Sequence, residues 1–374
     1  MRDKIISEWY HIKNIDAIDS PALIIYHDRV KENIRILLSM IDDVRRLRPH
    51  VKTHKSREAT LLMMDAGIHK FKCATISEAE MLAIAEAPDV LMAYQPTETK
   101  LQRFISLIKQ YPKTTFSCLV DNNEFAKKIA EAALENQIEI RVYIDLNVGM
   151  SRTGIVPGDK VIELYKQCSV MNGINPVGLH AYDGHIRTKD FDQRTVECDE
   201  AFMAVEQLQK TLMTQGFVEP IIIAGGSPTF PVHAKRKNIE CSPGTFIYWD
   251  KGYEMLCSEQ HFLPAALVIS RIISMPEETK LCLDLGHKSI SAENELSKRV
   301  HFLNAPELKF ISQSEEHLVV ETDAGHSYKL GDVMYGLPFH ICPTCALYER
   351  AQIVENNEAT REWKIIARDR KINI

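Results

Sequence analysis

Short apolar runs alternate with longer amphipathic stretches through most of the chain. After an apolar run at Pro21–Tyr26, eight more runs read as strands. They lie near His50–Lys52, Phe71–Thr75, Val90–Tyr94, Thr115–Val120, Arg141–Asn147, Pro176–Tyr182, Pro220–Ala224 and Glu240–Trp249. The spacers read as helices. Ser77, followed by Glu78 and Glu80, has the form of an N-cap with early acids. Phe125, Ile129 and Ala133 recur at helical spacing. Eight strand–helix units fit a (β/α)8 barrel of the TIM type; a doubly wound open sheet has the same rhythm and competes with it. From His261 the rhythm changes. Ala265–Ile273, Lys280–Leu285, His317–Thr322 and Trp363–Ala367 read as strands with few helical patterns between them, so a second, mostly-β domain is expected. The pattern therefore predicts an α/β barrel over 21–260 and a β domain over 261–374, with residues 1–20 a candidate addition to the latter.

Composition narrows the class. Of 374 residues, 45% are apolar and 26% charged, as in ordinary globular proteins. Forty-five basic against 51 acidic residues give a net charge of −6, so neither nucleic acid nor an anionic membrane is an expected partner. No apolar stretch approaches the ~20 residues that span a bilayer, and the opening MRDKIISEWYHIKN lacks the apolar run of a signal peptide. Nine irregularly spaced cysteines argue against a disulfide framework and for a reducing compartment. A cytoplasmic protein is expected.

Chemistry in such a barrel collects where strands end. The first strand ends in Arg48-Pro49-His50-Val51-Lys52-Thr53-His54-Lys55. A lysine drawn into a barrel mouth loses solvation and becomes a nucleophilic amine, although a basic cluster is as readily a solvated loop. The fifth strand leads into a glycine-flanked loop with one arginine, Arg152, a donor for a phenolate or carboxylate. On the sixth, His180 and Tyr182 share a face, as a platform for a flat cofactor or as plain core. The seventh runs into Gly225-Gly226-Ser227-Pro228-Thr229, small residues that expose N–H groups for a phosphate. The eighth carries a second such turn at Ser242-Pro243-Gly244. An amine, a guanidinium, a ring face and a phosphate cradle around one mouth form the kit for pyridoxal 5′-phosphate. In the second domain, His340 and Cys342 are two apart and on an extended segment would chelate one divalent metal. Cys342 with Cys345 also matches a redox pair, half a zinc knuckle or structural cysteines.

The motifs RPHVKTHK, CATISEAEMLA, DLNVGMSRTGI, HAYDGH, GGSPT, SPGTFIYWD, LDLGHKSIS, SEEH and HICPT occur in this order along nearly the whole chain. In this set the chain resembles the metal-activated, pyridoxal-phosphate-dependent D-threonine aldolase and D-serine dehydratase family, whose barrel is related to that of alanine racemase. The resemblance implies an alanine-racemase-like barrel followed by a β domain, and a homodimer. It implies Lys52, not Lys55, as the Schiff-base lysine, with Lys52 and His340 catalytic. Arg152, His180, Tyr182, Gly225, Gly226, Ser227, Thr229 and Gly244 become cofactor-binding residues, and His340 and Cys342 the metal ligands. Two departures stand out. Ser242 replaces an arginine that related racemases place against the pyridine nitrogen. Cysteine as second ligand points to zinc, where aldolases often carry aspartate and use manganese. Cys345 has no assigned role. The expected activity is a lyase acting on D-3-hydroxy amino acids, by aldol cleavage to glycine and an aldehyde. D-serine dehydration to pyruvate and ammonia needs the same parts. A racemase or a non-catalytic pyridoxal-phosphate protein stands behind both, and a carrier would not need the second domain.

Overall fold

The structure, a computed structural model, describes residues 8–374. Strand β1, Ala22–Tyr26, is followed by seven strands that form one parallel sheet in chain order. These are β2 (Lys70–Cys73), β3 (Asp89–Met92), β4 (Thr115–Val120), β5 (Ile140–Leu146), β6 (Ile174–Ala181), β7 (Ile221–Ala224) and β8 (Ile239–Cys241). The sheet curls, and the segment 47–50 closes it. Leu47 bridges Cys241 of β8 and His50 bridges Lys72 of β2, both parallel. Arg48 N–H donates to Cys241 O at 2.8 Å and Lys72 N–H to Pro49 O at 2.9 Å. Pro49 has no N–H to give back, so this eighth stave is a pair of bridges and not a regular strand. The closed barrel is the arrangement expected; the open sheet is excluded.

Two local expectations change in the barrel. The eighth run does not continue to Trp249: Pro243 and Gly244 break the ladder after Cys241, and Thr245–Ile247 forms a 3-10 turn. Phe246, Ile247, Tyr248 and Trp249 are still buried, which is why they read as strand. The N-cap of the helix Ile76–Ile84 is Thr75, whose side chain accepts from Glu78 N–H, and not Ser77. The helix Asn123–Glu135, expected from Phe125, Ile129 and Ala133, is capped by Asn122, which accepts from Glu124 and Phe125 N–H.

The second domain contains β9 (Ala266–Glu277), β10 (Lys280–Leu283), β11 (Val300–Phe302), β12 (Lys309–Gln313), β13 (Leu318–Glu321), β14 (Val333–Pro338), β15 (Arg350–Glu355) and β16 (Glu358–Lys364). Of the expected run Trp363–Ala367, the strand ends at Lys364 and a 3-10 turn covers Ile366–Arg368. β1 lies in this sheet, antiparallel to β9 and parallel to β15, although the expected boundary put Pro21–Tyr26 with the barrel. Tyr10, Ile12 and Ile18 pack with β1, Leu267, Ile269 and Leu337, so residues 8–20 sit on the β domain; residues 1–7 lie outside the described residues. Inside the barrel, Leu91, Leu119, Tyr143 and Ile223 form an apolar plug. At its lower end, Arg48 is fully buried and bonds Glu240 at 2.6 Å and Asp89 at 2.7 Å. The polar residues at the other end, where the strands finish, make the site.

Candidate active site

The stave 47–50 turns sharply into Val51–His54. This turn carries Lys52, which is exposed, and is followed by Lys55, which is not free. Lys55 Nζ pairs with Glu78, a carboxylate with 0% side-chain exposure, and Glu78 also accepts from Ala74 N–H at 2.6 Å. Of the two expected lysines, Lys52 is therefore the one with an available amine. A neighbour locates it: Thr53 Oγ1 lies 3.1 Å from Cys342 Sγ. The expected metal pair of the β domain thus comes down on the lysine turn of the barrel.

His340 follows β14 and caps the short helix Ile341–Cys345, so the pair does not lie on one extended segment. The turn still keeps the two side chains close enough for each to shift the other's ionisation. Burial opposes charge on both. For His340 this is outweighed by Cys342, Glu293 and Asp250, which push it up to about 9. For Cys342, the same burial is outweighed by His340 and by Lys52, which pull the thiol below its ordinary value. A readily ionised thiol is what a metal-binding cysteine needs. Asp250 holds this segment in place. Its carboxylate accepts from Ile341 N–H at 3.0 Å and Tyr253 N–H at 2.9 Å, and burial lifts it to about 6. A cavity of about 450 Å³ opens here, lined by Arg187, Asp250, Tyr253, Glu293 and His340 among others.

The phosphate-type turns also meet. Gly225 has φ +77°, and a Cβ on it would lie 2.7 Å from the His233 ring; only glycine fits. A Cβ on Gly244 would press to 3.1 Å from His50 O. Ser227 Oγ accepts from Gly244 N–H and Thr245 N–H, both at 3.2 Å, so the seventh and eighth strand ends form one cradle. The helix expected to follow is only Phe230–His233, so the cradle rests on loop N–H groups. Thr229 Oγ1 accepts from Gly226 N–H at 3.2 Å and donates to Asp183 at 2.8 Å. Behind it, Asp183, Cys198 and His233 place ligand atoms within 4.8 Å of one another, all buried. Arg236 donates to His233 Nδ1 at 3.0 Å and His233 Nε2 donates to Asp183 at 2.8 Å. The three thus already form a hydrogen-bonded brace under the cradle.

His180 Nδ1 bonds Asp145 at 2.7 Å, and its Nε2 is buried without a partner. Arg152, on its expected loop, stands 5.2 Å from the centre of the Tyr182 ring. Contacts thus join the Lys52 turn to Cys342, Ser227 to Gly244, and Arg152 to Tyr182 on the strand-end side of the barrel. Sequence reading missed Asp145, Asp183, Asp250, Glu293 and Lys72. Lys72 and Asp145 left a visible signal, each a charged residue buried within a barrel strand.

Residues 25–251 match the family described as alanine racemase, N-terminal domain, and residues 265–354 match a serine dehydratase domain family. The D-threonine aldolase of Arthrobacter sp. is 26% identical over 360 residues, 94% of this chain and 93% of that protein. The 3-hydroxy-D-aspartate aldolase of Paracoccus denitrificans (strain Pd 1222) is 25% identical, over 94% of this chain and 92% of that protein. The D-threo-3-hydroxyaspartate dehydratase of Delftia sp. (strain HT23) is 22% identical, over 93% and 97%. The crystal structure of D-threonine aldolase from Filomicrobium marinum superposes with a TM-score of 0.86 at 24% identity, over 94% of this chain and 95% of that one, and so shares the fold.

Proposed function

This chain belongs to the alanine racemase N-terminal domain family, and from that membership we propose a lyase dependent on pyridoxal phosphate and a divalent metal, cleaving D-3-hydroxy amino acids to glycine and an aldehyde. The observation that carries this reading is the 3.1 Å contact between Cys342 Sγ and Thr53 Oγ1, which sets a His–Cys donor pair beside the amine of Lys52. Racemisation acts at Cα and has no hydroxyl to grip. A metal pair next to the amine is needed where a substrate hydroxyl has to be gripped. Aldolase relatives at 26% and 25% identity, against 22% for the dehydratase, favour cleavage over dehydration.

The residues fit the cofactor: His180 Nε2 and Ser242 Oγ are buried polar atoms without protein partners, and Ser227 draws the two small-residue turns together at the strand ends. Lys52 would hold the carbonyl carbon, Arg152 the phenolic oxygen, His180 and Tyr182 the ring, and Gly225, Gly226, Ser227, Thr229 and Gly244 the phosphate. When bound, pyridoxal phosphate supplies the electron sink for the bond that breaks. His340 and Cys342 would hold the ion, zinc by the preference of a thiolate or manganese as the harder alternative, and the ion supplies positive charge to the substrate hydroxyl.

The chain's own residues do the rest. Asp145 accepts the Nδ1 proton of His180, which fixes the tautomer and turns the Nε2 lone pair to the lumen. Glu293 does the same at His340 Nδ1 and orients that ring for a ligand at Nε2. Lys52 Nζ gives and receives protons at the mouth, and Arg152 offsets negative charge there. A homodimer belongs to this reading, as does the cytoplasm. All nine cysteines are free, and no helix among the described residues is long and apolar enough to cross a membrane.

The test is product analysis with D-threonine, D-serine and their L forms, under zinc, manganese or chelator. Glycine and acetaldehyde from D-threonine, abolished by chelation, are expected. Pyruvate from D-serine without glycine from D-threonine would overturn the cleavage assignment.

A further inference from the structure

Lys72 has no part in that reading. It lies near the end of β2, where alternation turns Phe71 and Cys73 outward into the main core and Lys72 inward. The residue is 2% exposed, yet no carboxylate among the described residues pairs with its amine. Asp145 and Asp183 face it at longer range, as do the basic groups of Lys52 and Arg48; His50 and His180 are the other titratable neighbours. Both carboxylates are already committed, Asp145 to His180 and Asp183 to Thr229 and His233. Nζ lies 5.6 Å from the centre of the Tyr182 ring, the same ring that Arg152 approaches.

The stave 47–50 separates Lys72 from Ser242: Leu47 bridges Cys241 on one side and His50 bridges Lys72 on the other. Cys241 packs outward, so Ser242 also faces the lumen. Three inward polar groups, Lys72 Nζ, Ser242 Oγ and His180 Nε2, therefore lie at the mouth end of the barrel, and the last two are buried with no protein partner.

We propose that Lys72 is a cofactor-contacting residue: its amine, with Ser242 Oγ and His180 Nε2, forms the polar floor on which the ring of pyridoxal phosphate rests. This rests on the reading that the barrel binds that cofactor. Burial and the neighbouring cations hold Lys72 near 7, about where a cell operates. The floor then changes from a donating ammonium to an accepting amine within the neutral range, and the bound cofactor senses the change.

The experiment uses the full-length protein loaded with pyridoxal phosphate and no substrate. Absorbance is recorded through the neutral pH range for wild type, Lys72→Met, Lys72→Gln and Lys72→Arg, followed by borohydride reduction and peptide mapping. Wild type is expected to show a spectral transition with a midpoint well below the ordinary lysine value. Methionine and glutamine abolish it, and arginine, always charged, holds one spectrum throughout. The reduced label stays on Lys52 in all four. A methionine or glutamine variant whose spectrum titrates like wild type, or a label mapped to Lys72, overturns the contact. A wild-type protein that takes up no pyridoxal phosphate at all overturns the parent reading instead, so the two failures are distinct.

Discussion

Replacing Lys72 with methionine should stabilise the apoprotein, and the gain should depend on pH in a defined direction. An unfolded lysine ionises at its ordinary value of 10.5, and the folded environment lowers this to about 7, first through burial and then through the charge of Lys52. The gap corresponds to at most about 5 kcal/mol, at about 1.4 kcal/mol per tenfold change in proton affinity. The sign follows from proton binding. Between about 7 and 10.5 the unfolded chain holds a proton at this position that the folded chain does not, so stability rises with pH across that window. Below it both states are protonated, and the full cost of the buried ammonium is present. Methionine has a similar unbranched length and no charge, so it removes that cost. Against a total stability of about 5–15 kcal/mol for a typical domain, an effect of even half this size is easily measured. Urea denaturation of wild-type and Lys72→Met apoproteins should place the variant's midpoint higher at neutral pH, with the gap closing as the solution is made alkaline. A variant less stable than wild type at neutral pH, or a gap that ignores pH, would show that the folded chain bears no such cost at Lys72.

Other substitutions separate the parts of the site. Lys55→Met strands Glu78 in the core without its partner and should cost roughly 3–5 kcal/mol in denaturant unfolding, while borohydride still labels Lys52. Thr229→Val removes the link between Gly226 N–H and Asp183; at about 1–3 kcal/mol for buried groups left unpaired, pyridoxal phosphate titrations should show roughly 5- to 100-fold weaker binding. Glu293→Gln loosens the His340 ring and should weaken metal binding about 10- to 100-fold in chelator competition, whereas His340→Ala should abolish stoichiometric metal and D-threonine cleavage together.

Barrel strands such as Val90–Tyr94 and Ile221–Ala224 were legible because parallel strands buried on both faces leave unbroken apolar runs. The same logic misplaced β1. The run ALIIY carries no local mark of its partner, and only pairing with β9 and β15, more than 200 residues further along the chain, assigns it to the other sheet. Trp249 misled for a related reason: a buried 3-10 turn and a buried strand give the same hydrophobic run. In the site, the small-residue turns and the basic turn were visible because backbone geometry dictates their residue types. The supporting carboxylates outside the strands were not. Asp250 and Glu293 belong to no spacing pattern, and each gains its meaning from a partner brought close only by the fold.

That fold makes the site a joint property of both domains. The chain leaves β1 for the barrel and returns along β9, its antiparallel neighbour, so the barrel is an insertion between two adjacent strands. Tyr26 N–H donates to Ala265 O at 2.9 Å where they part, which pins both ends of the barrel about one strand spacing, ~4.8 Å, apart. β14 pairs with β9 on its other side, Gly336 opposite Val268, and runs directly into His340. The His340–Cys342 pair is thus registered to the barrel through two ladders. A third tie comes from the barrel side: Asp250 accepts Ile341 N–H, and Gly252 N–H donates to Phe339 O at 3.1 Å. A Cβ on Gly252 would lie 2.5 Å from that oxygen, so any side chain there forces the β14 end away from the mouth. An alanine at this position leaves every expected ligand and cofactor residue unchanged. If Cys342 must sit against the Lys52 turn for activity, Gly252→Ala should still bind pyridoxal phosphate and lose metal-dependent cleavage. Full cleavage by that variant would show that the two halves of the site act independently.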